Sequence, residues 1–273
     1  MNNLNKPSHL VELCKKYGLV PSKKYGQNYL ISDSPVQKMI NASQVKKGDS
    51  VVEIGPGFGV LTSALLERGA KVVAFEIERK LEKYWEDNSH DNLEIIWGDA
   101  LKRLKSLKLK GYKVAANLPY QITSHILRTL LELENKPESI TVMVQKEVAD
   151  RIVAKPGDMS VLAVSVQYYG EPKVVCKVPS GNFWPEPKVN SAILHVKVEG
   201  NKKQGSDFDK KFFEVVRAGF ANKRKQLWRN LSVGLKLDKN EVQTVLKQAV
   251  GNEKVRAQEL GVEEWITLTK KLT

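Results

Sequence analysis

VVEIGPGFGVLT, residues 51–62, is a β-branched run that breaks at Gly55, Gly57 and Gly59 and then passes into helix-forming residues. Val and Ile suit a buried strand. Glycine lets the chain turn tightly and lets a ligand approach the backbone. The spacing Gly-x-Gly-x-Gly differs from the Gly-x-Gly-x-x-Gly of dinucleotide-binding folds, which argues against a pyrophosphate cofactor. Taken alone, such a turn is as often structural as ligand-binding.

Reading outward, SVVEI (50–54) is a first strand, followed by a helix through Glu67. KVVAFE (71–76), LEIIW (93–97), YKVAAN (112–117) and SITVMVQKE (139–147) follow at helix-length intervals. This alternation predicts βαβ units and a mostly parallel, open α/β sheet. Beyond residue 158 the texture changes. SVLAVSVQYY (160–169), KVVCKV (173–178) and SAILHVKVE (191–199) lie close together and read as hairpin-like or antiparallel pairing. The polar segment EGNKKQGSDFD (199–209) reads as a linker. DKKFFEVVRAGFANKRKQLWRNL (209–231) and two further amphipathic stretches read as helices. The expected division is an α/β domain over 1–199 and a small helical domain over 200–273.

The chain of 273 residues is 41% hydrophobic and carries a formal net charge of +13. Enough apolar sequence is present for a packed core. So basic a balance points to a polyanion, nucleic acid before membrane. Residues 200–273 hold 16 Lys and Arg against 9 Asp and Glu, a net +7 in just over a quarter of the chain. No membrane-span-length apolar run and no signal-peptide pattern is visible. Cys14 and Cys176 stand far apart, and the four histidines are scattered, so neither a disulfide framework nor a metal site is expected. A cytoplasmic monomer is the expectation.

Glu76 closes the second strand, and Asp99 and Asn117 stand at the ends of the third and fourth, as Gly55 does at the end of the first. In open α/β sheets, ligands bind beyond the carboxyl ends of the strands. Glu76 is placed to accept from ribose hydroxyls and Asp99 from an adenine amine. Any one of these residues could instead be a helix cap or a solvated loop residue. Four in register imply a ligand with a ribose and an adenine but no pyrophosphate, which S-adenosylmethionine satisfies. Asn117-Leu118-Pro119-Tyr120 then carries the chemistry. The lone pair of an exocyclic adenine amine is delocalised into the ring. The Asn117 oxygen and the Leu118 or Pro119 carbonyl are acceptors that can draw it out, and Tyr120 offers a stacking face. Positioning and desolvation supply the rate without a general base.

The chain resembles the small-subunit ribosomal RNA adenine N6,N6-dimethyltransferases, from about Lys23 to Asn230. The family's opening motif stands as Gly26-Gln27-Asn28-Tyr29-Leu30, with Tyr29 where Phe is usual. Residues 143–151 (MVQKEVADR) and 183–192 (FWPEPKVNSA) resemble two later segments, with Asn190 where Asp is common. The loop Lys155–Ser160 looks shortened, and Ser160 and Ala163 replace Gly and Ser. The resemblance implies a Rossmann-like class I methyltransferase sheet with S-adenosylmethionine held by Asn28, Leu30, Gly55, Glu76, Asp99 and Asn117. It implies that Phe183 covers the target adenine opposite Tyr120. It further implies dimethylation of two adjacent adenines in the 3′-terminal hairpin loop of 16S rRNA, in the 30S particle. Arg217, Lys223, Arg224, Lys225 and Arg229 read as a basic face of the first C-terminal helix, suited to phosphate. A large-subunit methyltransferase of the macrolide-resistance type is the first alternative, and a non-catalytic nucleic-acid-binding relative the second.

Overall fold

The computed structural model describes residues 3–22, 26–199 and 206–272. In chain order the elements are α1 (Pro7–Lys16), β1 (Tyr29–Leu30), α2 (Asp33–Ser43), β2 (Ser50–Ile54), α3 (Val60–Glu67), β3 (Lys71–Glu76), α4 (Glu82–Asp87) and β4 (Leu93–Trp97). Next come α5 (Ala100–Arg103), β5 (Tyr112–Asn117), α6 (Thr123–Glu132), β6 (Ser139–Gln145), α7 (Lys146–Ile152), α8 (Val161–Tyr169), β7 (Gly170–Val178), β8 (Phe183–Trp184) and β9 (Ser191–Val198). Four helices close the chain: α9 (Ser206–Gly219), α10 (Leu227–Leu235), α11 (Lys239–Val250) and α12 (Val262–Leu272).

Among the described residues, seven strands form one sheet in the order β4-β3-β2-β5-β6-β9-β7. β4 to β6 pair in parallel and β9 joins β6 antiparallel. The parallel strands are nearly continuous apolar runs because helices cover the sheet, so little alternation survives. From β2 the chain steps one way to β3 and β4, and later the other way to β5 and β6. The strand order therefore reverses between β2 and β5, and a crevice opens at their carboxyl ends. β1 and β8 form a separate antiparallel pair, Leu30 opposite Phe183.

The chain divides into two compact units: Met1–Ala149 with Pro172–Val198, and Asp150–Glu171 with Glu199–Thr273. One division falls between Val198 and Glu199, and residues 150–171, which the sequence reading put with residues 1–199, cluster with the second unit. SVLAVSVQYY accounts for this: it forms α8, not a hairpin strand. Ser160 caps it, its Oγ accepting from the Ala163 backbone N–H at 3.2 Å. Ala163, Val164 and Tyr168 join the core of the second unit with Phe212, Phe213, Val216, Leu231 and Trp265. An apolar run of this length carries no period that tells a buried helix from a buried strand. The proposed linker falls partly on 200–205, outside the described residues; its end, from Ser206, opens α9.

Candidate active site at the carboxyl ends of the strands

A cleft in the first unit is lined by three chain segments that the fold brings together. Asn28–Leu30 come from the opening motif, Glu53 and Gly55–Leu61 from β2 and the turn into α3, and Asn117–Tyr120 from the end of β5; Glu76 and Phe183 complete it. Every residue named from sequence for the cofactor or the base lies here, except Asp99.

The glycine turn is held from behind. Tyr84 Oη donates to the Phe58 carbonyl at 2.7 Å, and the Gly59 amide donates to the Pro56 carbonyl at 2.9 Å. Gly59 precedes α3 at φ 84°, and a Cβ there would lie 2.6 Å from the Trp85 ring. Both the backbone conformation and the packing therefore demand glycine. A Cβ on Gly55, by contrast, would meet nothing within 4 Å and would fill space in the cleft. That open backbone is what a small ligand needs.

Glu76 ends β3 as a buried carboxylate. Oε2 accepts from the Gly57 N–H at 3.1 Å and Oε1 from the Glu78 N–H at 2.8 Å. These two donors fix the carboxylate plane and leave further lone pairs on both oxygens, the geometry that suits a vicinal diol. Burial pushes its pKa above the usual range, opposed by the backbone N–H groups. Asp99 has a different local role. It caps α5, Oδ1 accepting from the Leu101 N–H at 2.9 Å, and it is not among the lining residues.

Glu53 was not picked out from sequence. It is buried on β2, accepts from Thr62 Oγ1 at 2.7 Å, and lines the cleft two residues before Gly55. Desolvation pushes its pKa up to about 8. The signal was present: a carboxylate inside the apolar run VVEI has no reason to be there unless the interior uses it.

At the end of β5, Asn117 Nδ2 donates to the Asn28 carbonyl at 3.2 Å. Asn28 is itself anchored, its Nδ2 donating to the Gly26 carbonyl at 3.3 Å. With the amide nitrogen engaged, the Asn117 oxygen is the end left to accept. The Pro119 carbonyl already takes bonds from Ile122 N–H and Thr123 Oγ1, both 3.2 Å. Phe183 is set beside Leu30 by the β1–β8 register and is buried at the cleft wall.

In the second unit Arg217, Lys223, Arg224, Lys225 and Arg229 are all exposed. They do not share one helix. α9 ends at Gly219, Lys223–Lys225 occupy a turn, and Arg229 lies on α10. Asn230 Nδ2 donates to the carbonyls of Gly219 at 2.6 Å and Asn222 at 3.0 Å, and the Asn222 side chain accepts from the Arg224 N–H at 3.2 Å. These bonds satisfy the carbonyls that end the helix and fold the turn.

A parallel sheet with a switch-point crevice, an open glycine turn and a buried carboxylate at the end of the next strand define a class I methyltransferase built for S-adenosylmethionine. Residues 21–273 match the ribosomal RNA adenine dimethylase family. Among curated relatives, a ribosomal RNA small subunit methyltransferase A of Dehalococcoides mccartyi is 41% identical over 93% of this chain and 89% of its own. One from Alkaliphilus oremlandii is 36% identical over 100% and 99%. A Plasmodium falciparum dimethyladenosine transferase structure superposes with a TM-score of 0.72 at 26% identity, covering 88% of this chain and 95% of that one. The 23S rRNA methyltransferase ErmE superposes at 0.69 with 25% identity, covering 89% and 98%. The chain belongs to the ribosomal RNA adenine dimethylase family, and S-adenosylmethionine is its methyl donor.

Proposed function

We propose that this enzyme dimethylates N6 of two adjacent adenines in the 3′-terminal hairpin loop of small-subunit rRNA, acting as a cytoplasmic monomer on the 30S particle. The names of its relatives at 36–41% identity favour the small subunit over the large. Among the described residues, no helix is long and apolar enough to cross a membrane.

S-adenosylmethionine supplies an electrophilic methyl on a sulfonium. Glu76 accepts from the ribose hydroxyls, and Gly55, Asn28 and Leu30 leave backbone and apolar wall for the rest of the cofactor. Asp99 has its second oxygen for the adenine amine. At the target, Asn117 Oδ1 and the Leu118 carbonyl accept from N6, since the Pro119 carbonyl is already occupied twice. Two acceptors on one amine would pull its hydrogens out of the ring plane and turn the lone pair toward the methyl; the electrons of the broken carbon–sulfur bond would stay on sulfur, and the methylated amine would lose a proton to solvent. Tyr120 and Phe183 supply the faces between which an unstacked base is held. Lys223, Arg224, Lys225, Arg217 and Arg229 supply phosphate contacts.

The fixed orientation of the Asn117 amide carries this reading. Asn117→Ala is expected to cut methyl transfer by about a hundredfold or more, as for other preorganised polar groups aimed at a reacting atom. Folding and RNA binding should be spared. Radiolabelled transfer to 30S particles, 50S particles and naked rRNA is the assay. Near wild-type transfer by the variant, or preference for 50S particles, would reject the proposal.

A further inference from the structure

Tyr120 Oη and Ser191 Oγ are hydrogen-bonded at 2.7 Å. Ser191 is wholly buried at the first residue of β9, opposite Gln145 of β6. The residue before it is pinned twice: the Asn190 carbonyl accepts from the Lys146 N–H at 2.9 Å, and Asn190 Oδ1 accepts from the Ser180 N–H at 3.0 Å. The second bond closes the neck of the loop that carries Phe183. Ser180 Oγ adds a bond to Glu186 Oε1 across the same loop, at 2.6 Å. Ser191 thus belongs to the same stiff piece of backbone as Phe183, whereas Tyr120 follows β5. The bond between Tyr120 and Ser191 joins the two pieces.

Stacking alone would be served as well by Phe at position 120. The phenol needs another reason, and its buried partner gives one. We propose that Ser191 is a positioning residue of the base slot, fixing the Tyr120 ring through its hydroxyl and so setting the gap between Tyr120 and the wall that bears Phe183. This rests on the stacking role given to Tyr120 above. Burial pushes the Tyr120 phenol above its usual pKa, so it stays neutral at the pH of the reaction and the bond persists.

The bond acts on the orientation of the base when the methyl is transferred, so its loss falls on kcat rather than on particle binding, which draws on many other contacts. The test is a double-mutant cycle of Ser191→Ala and Tyr120→Phe, measuring kcat and KM for 30S particles and S-adenosylmethionine affinity by calorimetry. Each single change is expected to lower kcat about three- to tenfold with cofactor affinity unchanged. The double variant should be no worse than either single one. Multiplicative losses would overturn the proposal, as would wild-type kcat in either single variant. If Ser191→Ala fails to fold, Tyr120→Phe removes the same bond from the other side, and its kcat decides. Tyr120→Ala separates the two readings. Full activity there rejects stacking itself, whereas an inactive Tyr120→Ala beside a fully active Ser191→Ala rejects only the positioning role.

Discussion

Glu53 and Tyr29 are two polar groups that the interior treats in opposite ways. Glu53 has a donor in Thr62 yet is pushed up to about 8 from an ordinary 4.5, with desolvation the main cause and the nearby Glu76 adding to it. Between those pH values the folded protein holds a proton that the unfolded chain has released. Stability therefore falls as pH rises from about 4.5 to about 8 and levels off above. Glu53→Gln should lack this decline and gain on the wild type toward the alkaline end. Urea midpoints taken across this range check it, and parallel pH profiles would refute it. Tyr29, by contrast, has a buried hydroxyl with no hydrogen-bond partner among the described residues. Its ring packs on Phe58 and Trp184, contacts that Phe would keep. An orphaned buried hydroxyl costs about 1–3 kcal/mol. Tyr29→Phe is expected to raise unfolding free energy by about 1 kcal/mol in urea titrations; a loss of stability would show that the hydroxyl has a partner in solution.

The junction of α9 and α10 shows how one side chain ends an element. The residues from Asp209 to Leu231 carry a helical apolar pattern throughout, so sequence periodicity runs them together. The helix stops because Gly219 lies tight against Trp265 and Leu227, and because buried Asn230 reaches back to two carbonyls. Asn230→Ala strands those carbonyls and should cost about 1–3 kcal/mol. Hydrogen exchange should quicken at Ala221 and Lys225, whose amides close the turn. A variant with unchanged melting and unchanged exchange would mean that packing alone holds the turn. A similar ambiguity hid α8, whose residues are apolar on most sides.

For the whole molecule the dominant quantity is charge, +13 in total with +7 beyond residue 199. Phosphate contacts release counterions, so particle binding should weaken steeply with salt. Replacing Lys223, Arg224 and Lys225 by Ala should flatten the salt slope by about one unit for each phosphate no longer neutralised. Cofactor affinity should stay constant, because every residue lining the cleft belongs to the first unit. Binding to 30S particles at several salt concentrations, with calorimetry for S-adenosylmethionine, separates the two effects. An unaltered slope in the folded triple variant would move the RNA footprint onto the first unit.

Strand after strand of the parallel sheet, the glycine turn and the strand-end residues Gly55, Glu76 and Asn117 were legible in the sequence. Their signals are local: a β-branched run, a turn residue, a polar group just past a strand end. The bonds that aim the site were not legible, because they join residues far apart in the chain. Asn117 is oriented by the carbonyl of Asn28, Phe183 is set beside Leu30, and Tyr120 is tied to Ser191. Asp99 shows a local signal with two readings, since the carboxylate that follows β4 also caps α5 through one of its oxygens. Periodicity and composition tell which residues must be buried or turned. Which side-chain oxygen is left open, and which carbonyl is already taken, depends on hydrogen-bond partners that only the packed chain brings within 3 Å or so of each other.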